Sequence, residues 1–227
     1  GYILEGAYRE FPKGTIHLLC VDSELTPENK HIVIKYEDSF FIGADNGVFS
    51  LIFKDIIPEE IFEINLHSSF NYKISSDDLF VKVIGHILRS GPLNVVGTKI
   101  NKIKEITNLR PTVNKEQNQI IGSVIYIDNY GNVITNITEK LFKEISKTRS
   151  FTINARNIKF TKIYKNYSDA IDFSLNREER EEDGKKMAIF NSLGYLQLSI
   201  YKSNPQTVGS ASTLFGLNYR DPVSIYF

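Results

Sequence analysis

The chain has 227 residues, and 27 Lys plus Arg balance 27 Asp plus Glu, so the formal net charge is zero. Apolar residues make up 41% and charged residues 24%, the mix of a globular chain long enough to bury a core in one large domain or two small ones. No apolar run approaches the ~18 residues that span a bilayer, neutral charge argues against a nucleic-acid binder, and one cysteine permits neither an internal disulfide nor a cysteine-based zinc site.

Ile3, Leu4, Ala7, Tyr8 and Phe11 repeat at helical spacing from the first residues, with no capping residue before them. The chain therefore reads as starting inside a helix, and an earlier N-terminal segment is expected to be absent. Pro12-Lys13-Gly14 is a turn signal. Thr15–Val21 is nearly continuous in apolar residues, the pattern of a strand buried on both faces. Cys20 within it is expected to be a small buried hydrophobe. A polar loop, Ser23 to Lys30, follows. Ile32–Tyr36 and Ser39–Ala44 flank Glu37-Asp38 as a hairpin, and Asp45-Asn46-Gly47 is a turn. Val48–Lys54 is ambiguous between helix and strand, and Ile61–Leu66 alternates as a strand.

Ser75 to Ser90 is the clearest helix. Ser75 or Ser76 can cap it, Asp77 and Asp78 suit its N-terminal end, and Leu79, Phe80, Val83, Ile84, Ile87 and Leu88 share one face. A polar stretch with Pro111, about residues 105–118, is read as a linker. Beyond it come mostly strands: Ile120–Asp128, Asn132–Ile137, Ser150–Asn154, Ile158–Tyr164, Met187–Phe190, Tyr195–Tyr201 and Val223–Phe227, with a short helix capped by Thr138. Arg177 to Lys186 is a solvated charged loop. The expected architecture is an α/β domain over residues 1–110, a sheet flanked by helices, and a smaller, mainly antiparallel β-barrel-like domain over 119–227.

No phosphate-binding glycine loop, zinc-protease motif or serine-nucleophile elbow occurs. His17, His31, His67 and His86 lack metal-ligand spacing, so no metal site is expected. Three polar clusters remain. Asp22 leaves the first strand and leads to His31, at a strand end where α/β proteins place ligand groups. Asp45-Asn46-Gly47 reads as a plain turn. Ile127-Asp128-Asn129-Tyr130-Gly131-Asn132, continuing to Asn136, sets an acid, an aromatic ring and amides around a glycine. A hairpin explains Asn129 and Gly131; Asp128, Tyr130, Asn132 and Asn136 together also suit a flat polar ligand such as a nucleobase with its ribose.

These clusters carry a resemblance. Phe11-Pro-Lys-Gly-Thr-Ile-His17 followed by Val21-Asp22, the Asp45-Asn46-Gly47 turn, Asp128-Asn-Tyr-Gly-Asn132-Val-Ile-Thr-Asn136-Ile and Asn191-Ser192-Leu-Gly194-Tyr-Leu are similar to blocks of the S-adenosylmethionine (SAM) hydroxide adenosyltransferases, in the same order. That family is related to the SAM-dependent fluorinases and chlorinases. The resemblance implies cleavage of SAM by water or hydroxide at the 5′ carbon, giving adenosine and L-methionine, with SAM as substrate and no cofactor. It implies a cytoplasmic homotrimer with sites between subunits, and no nucleic-acid or membrane partner. It also implies that the family's opening strand, with a Thr-Asp-Phe-Gly block, is missing here.

By the same resemblance Asp22 orients the nucleophile as one of an Asp–Arg–His trio. The arginine position, seven residues on, holds Asn29, and the histidine position, in the segment Lys73-Ile-Ser75-Ser76-Asp77-Asp78, holds Ser75. Lys30 or His31 is the expected substitute for the lost charge and proton acceptor. Asp128 and Asn132 are expected to hold the polar parts of SAM, Tyr130 to pack on the ligand, Ser192 to mark the strand at the adenine edge, Asn46 and Ser76 to lie at the site, and Asn136 either to touch ligand or to fix the hairpin. A serine at the Ser76 position also occurs in fluorinases. The competing readings are a catalytically silent SAM- or adenosine-binding protein and a SAM-dependent halogenase.

Overall fold

The structure is a computed structural model that describes residues 1–53, 56–66, 75–106, 110–180 and 184–227. His67 and the Lys73-Ile74 start of the aligned helix block lie outside the described residues. The chain divides into two compact units, Gly1–Ile106 and Thr107–Phe227.

The first unit is an α/β layer structure. Helix α1 (Tyr2–Ala7) precedes β1 (Ile16–Leu19), β2 (His31–Tyr36), β3 (Ser39–Ala44), α2 (Val48–Phe53), β4 (Glu60–Ile64), α3 (Ser76–Leu88) and β5 (Gly97–Ile100). The strands form one sheet in the order β1-β3-β2-β4-β5. The β1–β3 pair is parallel and the others are antiparallel. The β2–β3 hairpin is closed by Glu37 (φ 49°) and Asp38 (φ 63°). Two consecutive left-handed residues match the twist of the flanking strands.

Strand alternation sends successive side chains to opposite faces. Val33, Ile42, Phe62 and Ile64 pack on one face against Leu79, Phe80, Val83 and Ile87 of α3. Ile32, Ile34, Phe41 and Ile61 pack on the other with Tyr8, Phe49, Ile52 and Phe53. Val48–Phe53, ambiguous in sequence, is thus a helix, buried by Phe49, Ile52 and Phe53. Helix α3 begins as expected: the Ser75 hydroxyl accepts from the Asp78 N–H (3.2 Å) and donates to the Asp78 carboxylate (2.8 Å).

Two expectations fail at β1. It is the end strand of the sheet, paired only with β3 among the described residues, not a strand buried on both faces. Its burial alternates instead, with His17 and Leu19 inside, Leu18 40% exposed and Val21 64% exposed. Cys20 is exposed. A run of apolar side chains resembles a central strand, but the neighbours that would cover it are a property of strand order, not of the run.

The second unit holds β6 (Thr112–Val113), β7 (Gln119–Ile127), β8 (Val133–Thr138), α4 (Glu139–Ser146), β9 (Thr152–Ala155), β10 (Ile158–Phe160), β11 (Ile163–Tyr164), β12 (Lys186–Phe190), β13 (Tyr195–Ile200), α5 (Ala211–Phe215) and β14 (Pro222–Tyr226). Its strands run β10-β9-β14-β7-β8-β13-β12-β11, with β6 on β7, in a nearly closed barrel-like mixed sheet. All pairs are antiparallel except β11–β12. One core fills it, from Ile120, Val124, Val133, Ile137, Ile153, Leu196, Leu198, Val223 and Ile225. Thr138 caps α4 by accepting from the Leu141 N–H (3.2 Å). The stretch 158–164 is two strands rather than one, and β5 (four residues), β6 (two) and α5 (five) were not read in the sequence.

Candidate active site

In the first unit the candidate residues gather around the loop between β1 and β2. The chain leaves β1 and turns at Asp22, whose φ of 45° is left-handed. Aspartate tolerates that region better than most side chains. Asn46 secures the turn: its amide nitrogen donates to the Val21 carbonyl (2.7 Å) and to the Asp22 carbonyl (3.4 Å), while its amide oxygen accepts from the Val48 N–H (3.1 Å). The Asp45-Asn46-Gly47 turn, with Gly47 at φ 97°, is therefore a clamp on the Asp22 turn as well as the entry to α2. A side chain at Gly47 would also meet Ile106 at 2.5 Å.

The far end of the loop is fixed as firmly. Asn29 and Thr26 bond each other, Thr26 N–H to the Asn29 carbonyl (3.2 Å) and Asn29 N–H to the Thr26 hydroxyl (2.9 Å). The Lys30 carbonyl accepts from the Asp45 N–H (2.7 Å), leaving the Lys30 side chain exposed. His31 is 1% exposed, lies against the Phe80 ring of α3 at 4.7 Å, and donates from Nε2 to the Ser23 carbonyl (2.8 Å). Burial lowers its pKa, partly opposed by that hydrogen bond. A nitrogen that donates to a carbonyl carries a proton, so Nε2 is not an open base. Asp45 accepts the Lys104 N–H at both carboxylate oxygens (2.9 and 3.1 Å). Its pKa is raised by burial, which that bond partly offsets. The Lys104 ammonium reaches the Asn29 amide oxygen (3.0 Å). Ser76 opens α3 beside the capping Ser75.

In the second unit Asp128, Tyr130 and Asn132 form the β7–β8 turn. One Asp128 oxygen accepts from the Tyr130 and Asn132 N–H groups (both 2.9 Å), and the other accepts from the Asn132 amide (2.8 Å). Gly131, at φ 72°, donates to the Asp128 carbonyl (2.9 Å). Tyr130 is 70% exposed at the tip, with its ring presented outward. Asn136 lies along β8, 7% exposed, and accepts from the Ser123 N–H of β7 (2.8 Å).

Ser192 is not brought to this turn. Val133 of β8 pairs with Leu198, and Thr138 pairs with Tyr195. The 191–194 turn therefore lies at the opposite end of β8, a strand of six residues, about 17–20 Å long. Asn191 shapes that turn by accepting from the Leu193 and Tyr195 N–H groups (both 3.1 Å), and Ser192 itself is exposed. The segment actually set against the Asp128 turn was not singled out in the sequence. Ser212 N–H donates to the Gly131 carbonyl (2.9 Å), and a side chain at Gly131 would meet the Ser210 hydroxyl at 2.1 Å. Ser210 is 1% exposed. The available signal was the run Gly209-Ser210-Ala211-Ser212-Thr213 before the apolar pair Leu214-Phe215.

A groove of about 610 Å³ between α4 and β11–β12 is lined by Phe142, Phe151, Tyr164, Phe190 and lysines, and by none of the candidate residues. Among the described residues no group of three His, Cys, Asp or Glu side chains could hold a metal ion. No helix among them is long and apolar enough to cross a membrane.

Comparison with known proteins matches both halves. The SAM hydroxide adenosyltransferase N-terminal domain matches residues 1–97, and the C-terminal domain of the same family matches residues 122–224. An (R)-S-adenosyl-L-methionine hydrolase of Methanocaldococcus jannaschii is 26% identical over 233 residues, covering 100% of this chain and 76% of its own. A crystal structure of a conserved protein from Thermotoga maritima superimposes with a TM-score of 0.77 at 25% identity, covering 100% of this chain and 82% of that one. A Thermus thermophilus protein, at 18% identity and a TM-score of 0.68 over 99% of this chain and 79% of its own, shares the fold. With each unit matching its own domain of one family, in order, this chain belongs to the SAM hydroxide adenosyltransferase family.

Proposed function

We propose that the protein hydrolyses SAM at the 5′ carbon. Water attacks C5′, the C5′–S bond breaks with its electron pair passing to sulfur, and adenosine, L-methionine and one proton are released. The sulfonium is already a competent leaving group, so the protein's task is to place and desolvate the nucleophile in line with the C–S bond. The observation that carries this reading is Asp22: a carboxylate on a left-handed turn, pinned at its own carbonyl by Asn46, in a chain of this family. Its backbone is held before substrate arrives, which sets the position from which the carboxylate orients a water molecule.

The buried His31 serves as the peg that closes the loop over Ser23, and the exposed Lys30 is the loop's own cation. Tyr130 offers a ring face to the ligand, with Asp128 and Asn132 shaping the turn that presents it. Ser76 is assigned to the substrate site; Asn136 is buried and ties β8 to β7, and any contact of Ser192 with ligand is made at the opposite end of β8 from Tyr130. No cofactor or metal takes part, and a cytoplasmic homotrimer with sites completed between subunits belongs to the same reading. The M. jannaschii relative's name specifies the (R) form, so the substrate here extends to that sulfonium epimer.

A second reading, a silent SAM or adenosine binder, is favoured by one observation. Ser75, at the family's histidine position, has its hydroxyl committed to Asp78 as a helix cap. Incubation with each resolved SAM epimer, with and without chloride or fluoride, separates these. Adenosine and methionine in equal amounts, lost in Asp22→Ala, support hydrolysis; a 5′-halogenated product replaces it with the halogenase reading; calorimetric SAM binding without turnover supports the silent binder.

A further inference from the structure

The loop that carries Asp22 receives a positive charge from a distant part of the chain. We infer that Lys104, in the segment after β5, is a positioning residue for the nucleophile and supplies the cation that Asn29 lacks. The inference rests on the hydrolase reading.

Four observations place it there. The Lys104 backbone is not free to drift, because its N–H is held by both oxygens of Asp45 at 2.9 and 3.1 Å. Asp45 is itself bonded into the loop through the Lys30 carbonyl at 2.7 Å. Its neighbour Asn46 bonds the Val21 and Asp22 carbonyls. The Lys104 side chain then extends to the Asn29 amide oxygen at 3.0 Å, seven residues after Asp22. Lys30 is the nearer lysine in sequence and is likewise exposed, but the ammonium bonded to Asn29 is that of Lys104. Lys104 bridges two of the segments that close the loop.

An ammonium here does two things. It orients the Asn29 amide by occupying its oxygen, so the amide N–H₂ is the end presented away from Lys104. It also makes the local potential more positive where a water loses its proton beside Asp22, which stabilises the hydroxide-like transition state. Neither effect needs contact with SAM, so the loss on removal falls on kcat and not on KM. The exposure of Lys104 means that its removal leaves no hole in the core.

The test compares the full chain with Lys104→Ala, Lys104→Arg, the double variant Lys104→Ala/Asn29→Arg, and Lys102→Ala as a neighbouring exposed control. Kinetics of adenosine release are measured on whichever SAM epimer the parent cleaves. Lys104→Ala is expected to lower kcat about 10²-fold, the scale of one preorganised electrostatic group, with KM within about threefold of the parent. Lys104→Arg or the double variant, which returns the charge from the loop itself, is expected to recover at least about tenfold of that loss. A parent that turns over while Lys104→Ala stays within about threefold in kcat overturns this inference alone. So does a loss carried by KM, or one that neither cationic variant recovers. A parent with no turnover on either epimer overturns the hydrolase reading and this inference with it.

Discussion

Replacing Asp128 tests whether this carboxylate belongs to the protein or to the ligand. It accepts three hydrogen bonds, from Tyr130 N–H, Asn132 N–H and the Asn132 amide, at 2.9, 2.9 and 2.8 Å. A net hydrogen bond contributes about 1 kcal/mol, and a partly exposed turn allows water to replace some of it. Asn132 is only 9% exposed, so its donors are poorly placed to find water once the acceptor is gone. Asp128→Ala should therefore cost about 3 kcal/mol. Asp128→Asn keeps the oxygen that serves the two backbone groups but sets its own N–H₂ against that of Asn132. It should cost about 1 kcal/mol. Guanidinium unfolding followed by circular dichroism would read both, with the second unit fitted as its own transition because two units need not unfold as one. SAM affinity is measured in parallel. If Asp128→Ala unfolds within about 0.5 kcal/mol of the parent, the turn does not depend on the carboxylate and the reasoning fails. If Asp128→Asn keeps its stability yet loses SAM affinity, the carboxylate also meets the substrate ammonium.

The remaining predictions concern the first unit. His17 is 8% exposed with no hydrogen-bond partner at Nε2, and burial lowers the pKa of both His17 and His31. A depressed histidine pKa contributes stability that is complete above about pH 6.5 and lost as pH falls through the folded value. Thermal melts should show the melting temperature dropping below that pH, and His17→Phe, which keeps the stack on Phe41, should flatten the drop; an unchanged slope would refute it. Phe41 is 0% exposed and meets Tyr8, His17 and Phe53, so Phe41→Ala should cost about 3–5 kcal/mol in urea unfolding. Asn46→Ala removes the clamp on the Asp22 turn; adenosine release should fall at least tenfold, about 1.4 kcal/mol in the barrier, while circular dichroism stays native. Ser75→Ala should lower stability by about 1 kcal/mol and Ser75→Asp should restore it, since either oxygen can cap α3.

Much was legible in the sequence where local pattern and burial agree. The α3 helix carries its own cap, acidic first turn and apolar face within 16 residues, and the β2–β3 hairpin carries its own turn. The family blocks were readable because they are contiguous, and so was the division into an α/β layer structure and a barrel-like sheet. What sequence alone could not settle depends on residues far apart in the chain. The apolar run of β1 looks internal, and only strand order makes it an edge that leaves Leu18 and Cys20 exposed. Ser192 and Asp128 both sit in polar turns, and only the antiparallel register puts them at opposite ends of β8. Lys104 has no motif around it, and what marks it is a bond to Asn29 across 75 positions of chain. Local propensity and turn chemistry act over a few residues and can be read from the chain in order. Edges, registers and charges delivered from a remote segment arise when the sheet assembles, and they decide which of the polar residues can act together.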